Sequence, residues 1–93
     1  MLINDLSSIV QSQDQISCNL ETESVILNSY NGVYYGLDQV GSAIWDLIKR
    51  PISVKDITTI LLKEYDVSLE QCKNNLLSFL KELYENKLIE IKE

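Results

Sequence analysis

The sequence predicts an α+β domain, a three-stranded antiparallel sheet followed by three α-helices, and three observations carry that expectation. The first third of the chain holds short runs with period-2 alternation, while the remainder repeats its apolar residues at helical spacing. The changeover falls at Gly32-Val33-Tyr34-Tyr35-Gly36-Leu37-Asp38, an aromatic strand that runs straight into a helix start. The links between the strand-like runs are too short for the crossover that parallel pairing requires.

Residues 1–12 carry the weakest signal. Leu2, Leu6, Ile9 and Val10 fit a short amphipathic helix, although such a segment is too short to be stable alone. Ile16, Cys18 and Leu20 then alternate with Ser17, Asn19 and Glu21, which makes a first strand with one solvated face, and Glu21-Thr22-Glu23-Ser24 is the polar break after it. Val25-Ile26-Leu27 is the second strand. Asn31-Gly32 ends the following link and is the strongest local hairpin signal in the chain. In the third strand Val33, Tyr35 and Leu37 share one face and Tyr34 and Gly36 the other. Being the last strand of the meander, it is expected to keep a free edge.

Asp38 stands as an N-cap before Val40, Ile44, Leu47 and Ile48, and Pro51 stops this first helix after Lys49. Trp45 lies beside the apolar stripe and is expected to fill a junction between elements rather than to stack on a ligand. Ser53-Val54-Lys55-Asp56 resembles a capping box and opens a second helix that ends near Asp66. Ser68-Leu69-Glu70-Gln71 is another, opening the longest helix, Leu69 to Asn86. Leu88, Ile89 and Ile91 suggest a short terminal strand or wing. Three strands, then three helices of which the last two are joined by a tight turn, make the arrangement winged helix-turn-helix-like.

The 93 residues form one domain, large enough for a modest core but not for a core and a deep catalytic cleft. The net charge is −6, with no histidine and a single arginine, Arg50. This excludes imidazole acid–base chemistry and histidine-ligated metal sites, and it argues against a phosphate backbone as partner. Cys18 and Cys72 lack CxxC spacing and read as reduced, buried thiols. Neither a signal-peptide pattern nor a run of apolar residues long enough to span a membrane is present, so a cytoplasmic protein without membrane contact is expected. With no cofactor motif and no nucleophile beside an evident base, an enzyme is not expected.

The longest helix carries more apolar surface than a core requires. With Leu76 at zero and about 100° per residue, Leu69, Cys72, Phe79, Leu80 and Leu83 all fall within about 60°. Leu77 and Tyr84 extend that face on one shoulder, with Lys73 between them and the core; Asn75, Glu82 and Asn86 occupy the other shoulder. A one-sided extension is explained either by the N-terminal segment or the strands covering it, or by a groove in which an extended peptide adds to the strand edge.

Val25-Ile26-Leu27-Asn28, the string Gly32 to Asp38, Gly41, Ile44-Trp45 and Glu64-Tyr65-Asp66-Val67, with the helical tail Phe79-Leu80, Leu83 and Leu88-Ile89, together resemble the PqqD-like family over residues 14–91. In this sequence Lys87 stands where that family usually has glycine. The resemblance implies a recognition element for ribosomally made, post-translationally modified peptides. It implies that the leader of a precursor peptide adds as an antiparallel strand beside Val33, Tyr34, Tyr35 and Gly36, facing Lys73, Leu76, Leu77 and Leu80; Tyr84 joins that wall by periodicity. The implied partners are the leader peptide and a leader peptidase or other modifying enzyme. The lasso-peptide type is favoured over presentation to a radical-SAM enzyme. A winged-helix DNA-binding regulator is the rival reading, and an open edge that pairs two copies into a homodimer is a third.

Overall fold

The apolar stripes of the helices meet the inner faces of the strands in one core, whose largest fully buried side chains include Trp45, Ile9, Ile26, Ile48, Ile57, Leu76, Leu80 and Leu83. The computed structural model describes residues 3–13, 15–19, 24–28, 32 and 34–92. In chain order the elements are β1 (Ser8–Gln11), β2 (Gln15–Asn19), β3 (Ser24–Asn28), β4 (Tyr34–Leu37), α1 (Gln39–Leu47), β5 (Ile52–Ser53), α2 (Val54–Glu64), α3 (Leu69–Glu85) and β6 (Ile89–Lys92). Among the described residues no helix is long and apolar enough to cross a membrane.

The meander is as the alternation predicts. β2 pairs antiparallel with β3, and β3 with β4, in the order β2-β3-β4, with Ile26 opposite Tyr35 and Leu27 opposite Tyr34. Gly32, in the link between β3 and β4, has φ +69°, a conformation that glycine adopts without a steric penalty. Asn31 and Val33 lie outside the described residues.

The N-terminal segment corrects the expectation. Residues 8–11 are a strand, not a helix, and β1 is the centre of a second antiparallel sheet in the order β5-β1-β6. Ile9 is completely buried, whereas Leu6, assigned to the same helical stripe, is 85% exposed. The backbone groups of this segment are satisfied at long range: the Gln11 amide donates to the Ile48 carbonyl, the Ser12 amide to Leu88, and the Val54 and Lys55 amides donate to the Ser7 and Asp5 carbonyls. A strand whose partners lie some forty and eighty residues away leaves no local signature. The terminal strand expected from Leu88, Ile89 and Ile91 is present as β6, on the edge of this sheet.

The three helix starts are capped as the sequence predicts. Asp38, Ser53 and Ser68 accept hydrogen bonds from the amides of Gly41, Asp56 and Gln71 at 2.7, 3.1 and 3.1 Å. Trp45 is 1% exposed, and its carbonyl accepts from Gln11 Nε2 at 2.8 Å. The indole is thus core, tied through its backbone to β1. Cys72 is a free, buried thiol whose pKa burial raises; the side chain of Cys18, on β2, lies outside the described residues.

Candidate functional site

β4 is an edge strand: it pairs with β3 on one side, and among the described residues no strand pairs with the other. In an antiparallel ladder every second residue of such a strand points its N–H and C=O outward, so β4 offers hydrogen-bonding groups to an added strand. The faces alternate as expected, with Leu37 buried and Tyr35 half-buried while Tyr34 is 70% exposed and Gly36 is exposed.

The inner face of β4 lies along α3. The Tyr35 hydroxyl donates to Glu82 Oε1 at 3.1 Å and accepts from Asn86 Nδ2 at 2.8 Å. Asn86 Nδ2 also reaches the Glu82 carbonyl, one turn back, at 2.8 Å. Burial, first, then the hydrogen bond to Glu82 and the negative charges of Glu82 and Glu85 raise the Tyr35 pKa above the usual tyrosine value. Further along, a Cβ on Gly41 would sit 3.6 Å from Leu37 Cβ and 3.5 Å from Phe79 Cζ. Tyr35 therefore reaches the C-terminal end of α3, and Leu37 and Phe79 both lie close to Gly41 at the start of α1.

Beyond Leu37 the space between α1, the end of α2 and α3 opens into a cavity of 340 Å³. Its walls include Val40 and Ile44 of α1, Tyr65 and Val67 after α2, and Asn75 and Phe79 of α3, with Leu76 and Cys72 also lining it. Val40 and Val67 are each 39% exposed at its rim. The mostly apolar lining suits a nonpolar side chain or peptide segment, and Asp38 is the one charged residue in it.

The residues expected to form the α3 wall are divided by this geometry. Leu76 and Leu80 are buried, at 1% and 0% exposure, and support the wall from beneath. Lys73 Nζ pairs with Asp5 Oδ2 at 2.8 Å, so this shoulder of α3 faces the N-terminal segment. Leu77 packs half-buried against the core, and Tyr84 is 39% exposed. On the other shoulder Glu82 and Asn86 meet Tyr35 of β4, while Asn75 and Phe79 line the cavity beside the more central Cys72 and Leu76. Asn75, Glu82 and Asn86 are polar, which hid them from a search for apolar surface; the usable signal was that Glu82 and Asn86 share a face with Asn75, opposite a strand rich in tyrosine. Val33 lies outside the described residues. Among the described residues no cluster of acidic, cysteine or histidine side chains is arranged to hold a metal.

A small meander with an open aromatic edge, held alongside the longest helix of a three-helix unit, is the frame on which the comparisons with known proteins converge. Residues 23–89 match the family model described as coenzyme PQQ synthesis protein D (PqqD), and the chain belongs to that family. Among solved structures it is similar to TbiB1, in complex with the TbiA(beta) leader peptide, with 32% identity and a TM-score of 0.81 over 87% of this chain and 94% of that one. It also shares the fold of a lasso peptide synthetase B1 complexed with the leader peptide, at 18% identity and a TM-score of 0.79 over 88% of this chain and 96% of that one. No curated protein matches the chain.

Proposed function

We propose that this chain is a non-catalytic recognition protein that binds the leader of a ribosomally synthesised precursor peptide, in lasso-peptide biosynthesis, and presents it to a leader peptidase or other modifying enzyme. The observation that carries the reading is the edge of β4 that no strand among the described residues pairs with, in a chain 32% identical to a protein solved with a leader peptide bound. The leader adds as a strand to β4, with Tyr34, Tyr35 and Gly36, and Val33 before them, supplying the edge. Main-chain hydrogen bonds give affinity, and the side chains of the added strand give specificity. On the α3 side Leu76 and Leu80 back the groove, while Lys73, Leu77 and Tyr84 stand on the shoulder implied by the family resemblance and Phe79, Glu82 and Asn86 on the one that meets β4.

The family resemblance also implies a second reading, presentation of a precursor to a radical-SAM enzyme; the likeness to two structures with leader peptide bound, one of them a lasso peptide synthetase B1, favours the lasso type. We read α2, α3 and the β5-β1-β6 sheet as a winged helix-turn-helix-like unit, yet α3 carries Glu70, Glu82 and Glu85 against Lys73 and Lys81, with Lys87 just past its end. That balance, in a chain of net charge −6, disfavours insertion into a DNA groove. The absence of histidine from the sequence supports the non-catalytic assignment. The test is a fluorescence anisotropy titration with labelled leaders of precursors encoded beside this gene, the TbiA(beta) leader and an operator-length DNA duplex. Leader binding at micromolar affinity or tighter, about −8 kcal/mol or better, is expected. Salt-sensitive binding of the duplex without leader binding would overturn the reading.

A further inference from the structure

We infer that the Tyr35–Glu82–Asn86 bridge is a positioning strut, which holds the open edge of β4 at a set distance and angle from α3 so that an added peptide strand finds a preformed groove. The inference rests on the leader-binding reading above and assigns to Tyr35 a role other than peptide contact.

Several observations converge on it. Tyr35 lies on the inner face of β4, so its side chain runs toward α3 while the edge backbone of the same strand stays available. Its hydroxyl is used twice, as donor to Glu82 Oε1 at 3.1 Å and as acceptor from Asn86 Nδ2 at 2.8 Å. Asn86 is fixed in turn, because its Nδ2 reaches the Glu82 carbonyl and its backbone N–H closes the end of α3 on the same carbonyl. The strut thus joins an edge strand, which among the described residues has one strand neighbour, to the capped C-terminal end of the longest helix. It also divides the groove: at the Tyr35 end the strand and helix are already joined by the protein's own polar groups, and at the Leu37 end the 340 Å³ cavity is open. An added strand therefore pairs along β4 with its nonpolar anchor beyond Leu37. Edge strands are low in local stability, and holding one in its binding geometry reduces the ordering cost that a peptide otherwise bears.

Tyr35→Phe keeps the ring and removes both hydrogen bonds. The expected result is a folded domain, by circular dichroism, in which the β4 amides exchange faster in the ligand-free protein and the labelled leader binds about tenfold more weakly. Glu82→Ala, which leaves the bond from Asn86, should act in the same direction, the Tyr35→Phe/Glu82→Ala double variant should lose no more than Tyr35→Phe alone, and Glu82→Gln, which retains an acceptor, should bind near the original affinity. Unchanged exchange and affinity in folded Tyr35→Phe would overturn the inference. Fully additive losses in the double variant would overturn it as well, since Tyr35 would then act directly on the peptide. If the unaltered protein binds no leader, the functional reading fails, while the exchange rates of β4 still decide whether the strut exists.

Discussion

Lys87 and Tyr35 show how local chemistry at the end of α3 is set. Asn86 and Lys87 close the helix in a Schellman arrangement: the Lys87 amide donates to the Tyr84 carbonyl and the Leu88 amide to Leu83, each at 3.0 Å. This requires a left-handed residue, and Lys87 has φ +61°. The departure from the family's usual glycine is thereby explained as a tolerated strain. Lys87→Gly is expected to stabilise the domain by about 1 kcal/mol, less the added freedom of the unfolded chain, and urea denaturation measures it. No gain would mean that lysine contributes a compensating contact there. The second residue is Tyr35. Its pKa is raised by burial, the Glu82 hydrogen bond and the nearby carboxylates, so the folded protein holds that proton more tightly than the unfolded chain. The associated stability is complete below the ordinary tyrosine value of 10.0 and is lost as pH rises through the higher folded-state value. Melting curves between about pH 9 and pH 11.5 should fall more steeply for the original protein than for Tyr35→Phe; parallel curves would show that Tyr35 adds nothing to the alkaline loss.

At the scale of elements, β1 and α3 carry the consequences. β1 lies between β5 and β6 and places Ile9 in the core, so Ile9→Ala should cost about 2–5 kcal/mol in chemical denaturation. A cost below about 1 kcal/mol, typical of surface change, would mean that the segment packs peripherally. On α3 the two shoulders offer an added peptide different surfaces. Phe79 lies beside Gly41 and Leu37 and lines the cavity, whereas Lys73, on the shoulder of Leu77, pairs with the N-terminal segment. Phe79→Ala is therefore expected to weaken leader binding at least tenfold and Leu77→Asp by less, measured by anisotropy on variants checked for folding. The reverse order would place the peptide on the Leu77 and Tyr84 side. Strand, helix and cap positions were readable because each rests on residues adjacent in sequence: Asp38, Ser53 and Ser68 each meet an amide three residues on. β1 was not readable, because its pairing is decided by residues 52–53 and 89–92.

At the scale of the whole molecule, two three-stranded sheets flank a helical core, and one of them presents its last strand beside α3. The two shoulders of α3 differ: on one, Lys73 pairs with Asp5 of the N-terminal segment, and the other is joined to β4 by Tyr35. The meander, the three capped helices, the apolar centre of α3 and the family were all legible in the order of the residues, since period, caps and turn residues act over a few positions. The composition also excluded histidine chemistry outright. Only the tertiary structure decided that residues 8–11 are a strand, that Tyr35 reaches inward to Glu82 and Asn86, and that the shoulder beside β4 is the polar one. The reason is physical: a helical wheel gives the angle of each side chain about its own axis, but which sector meets which neighbour depends on how separate elements dock.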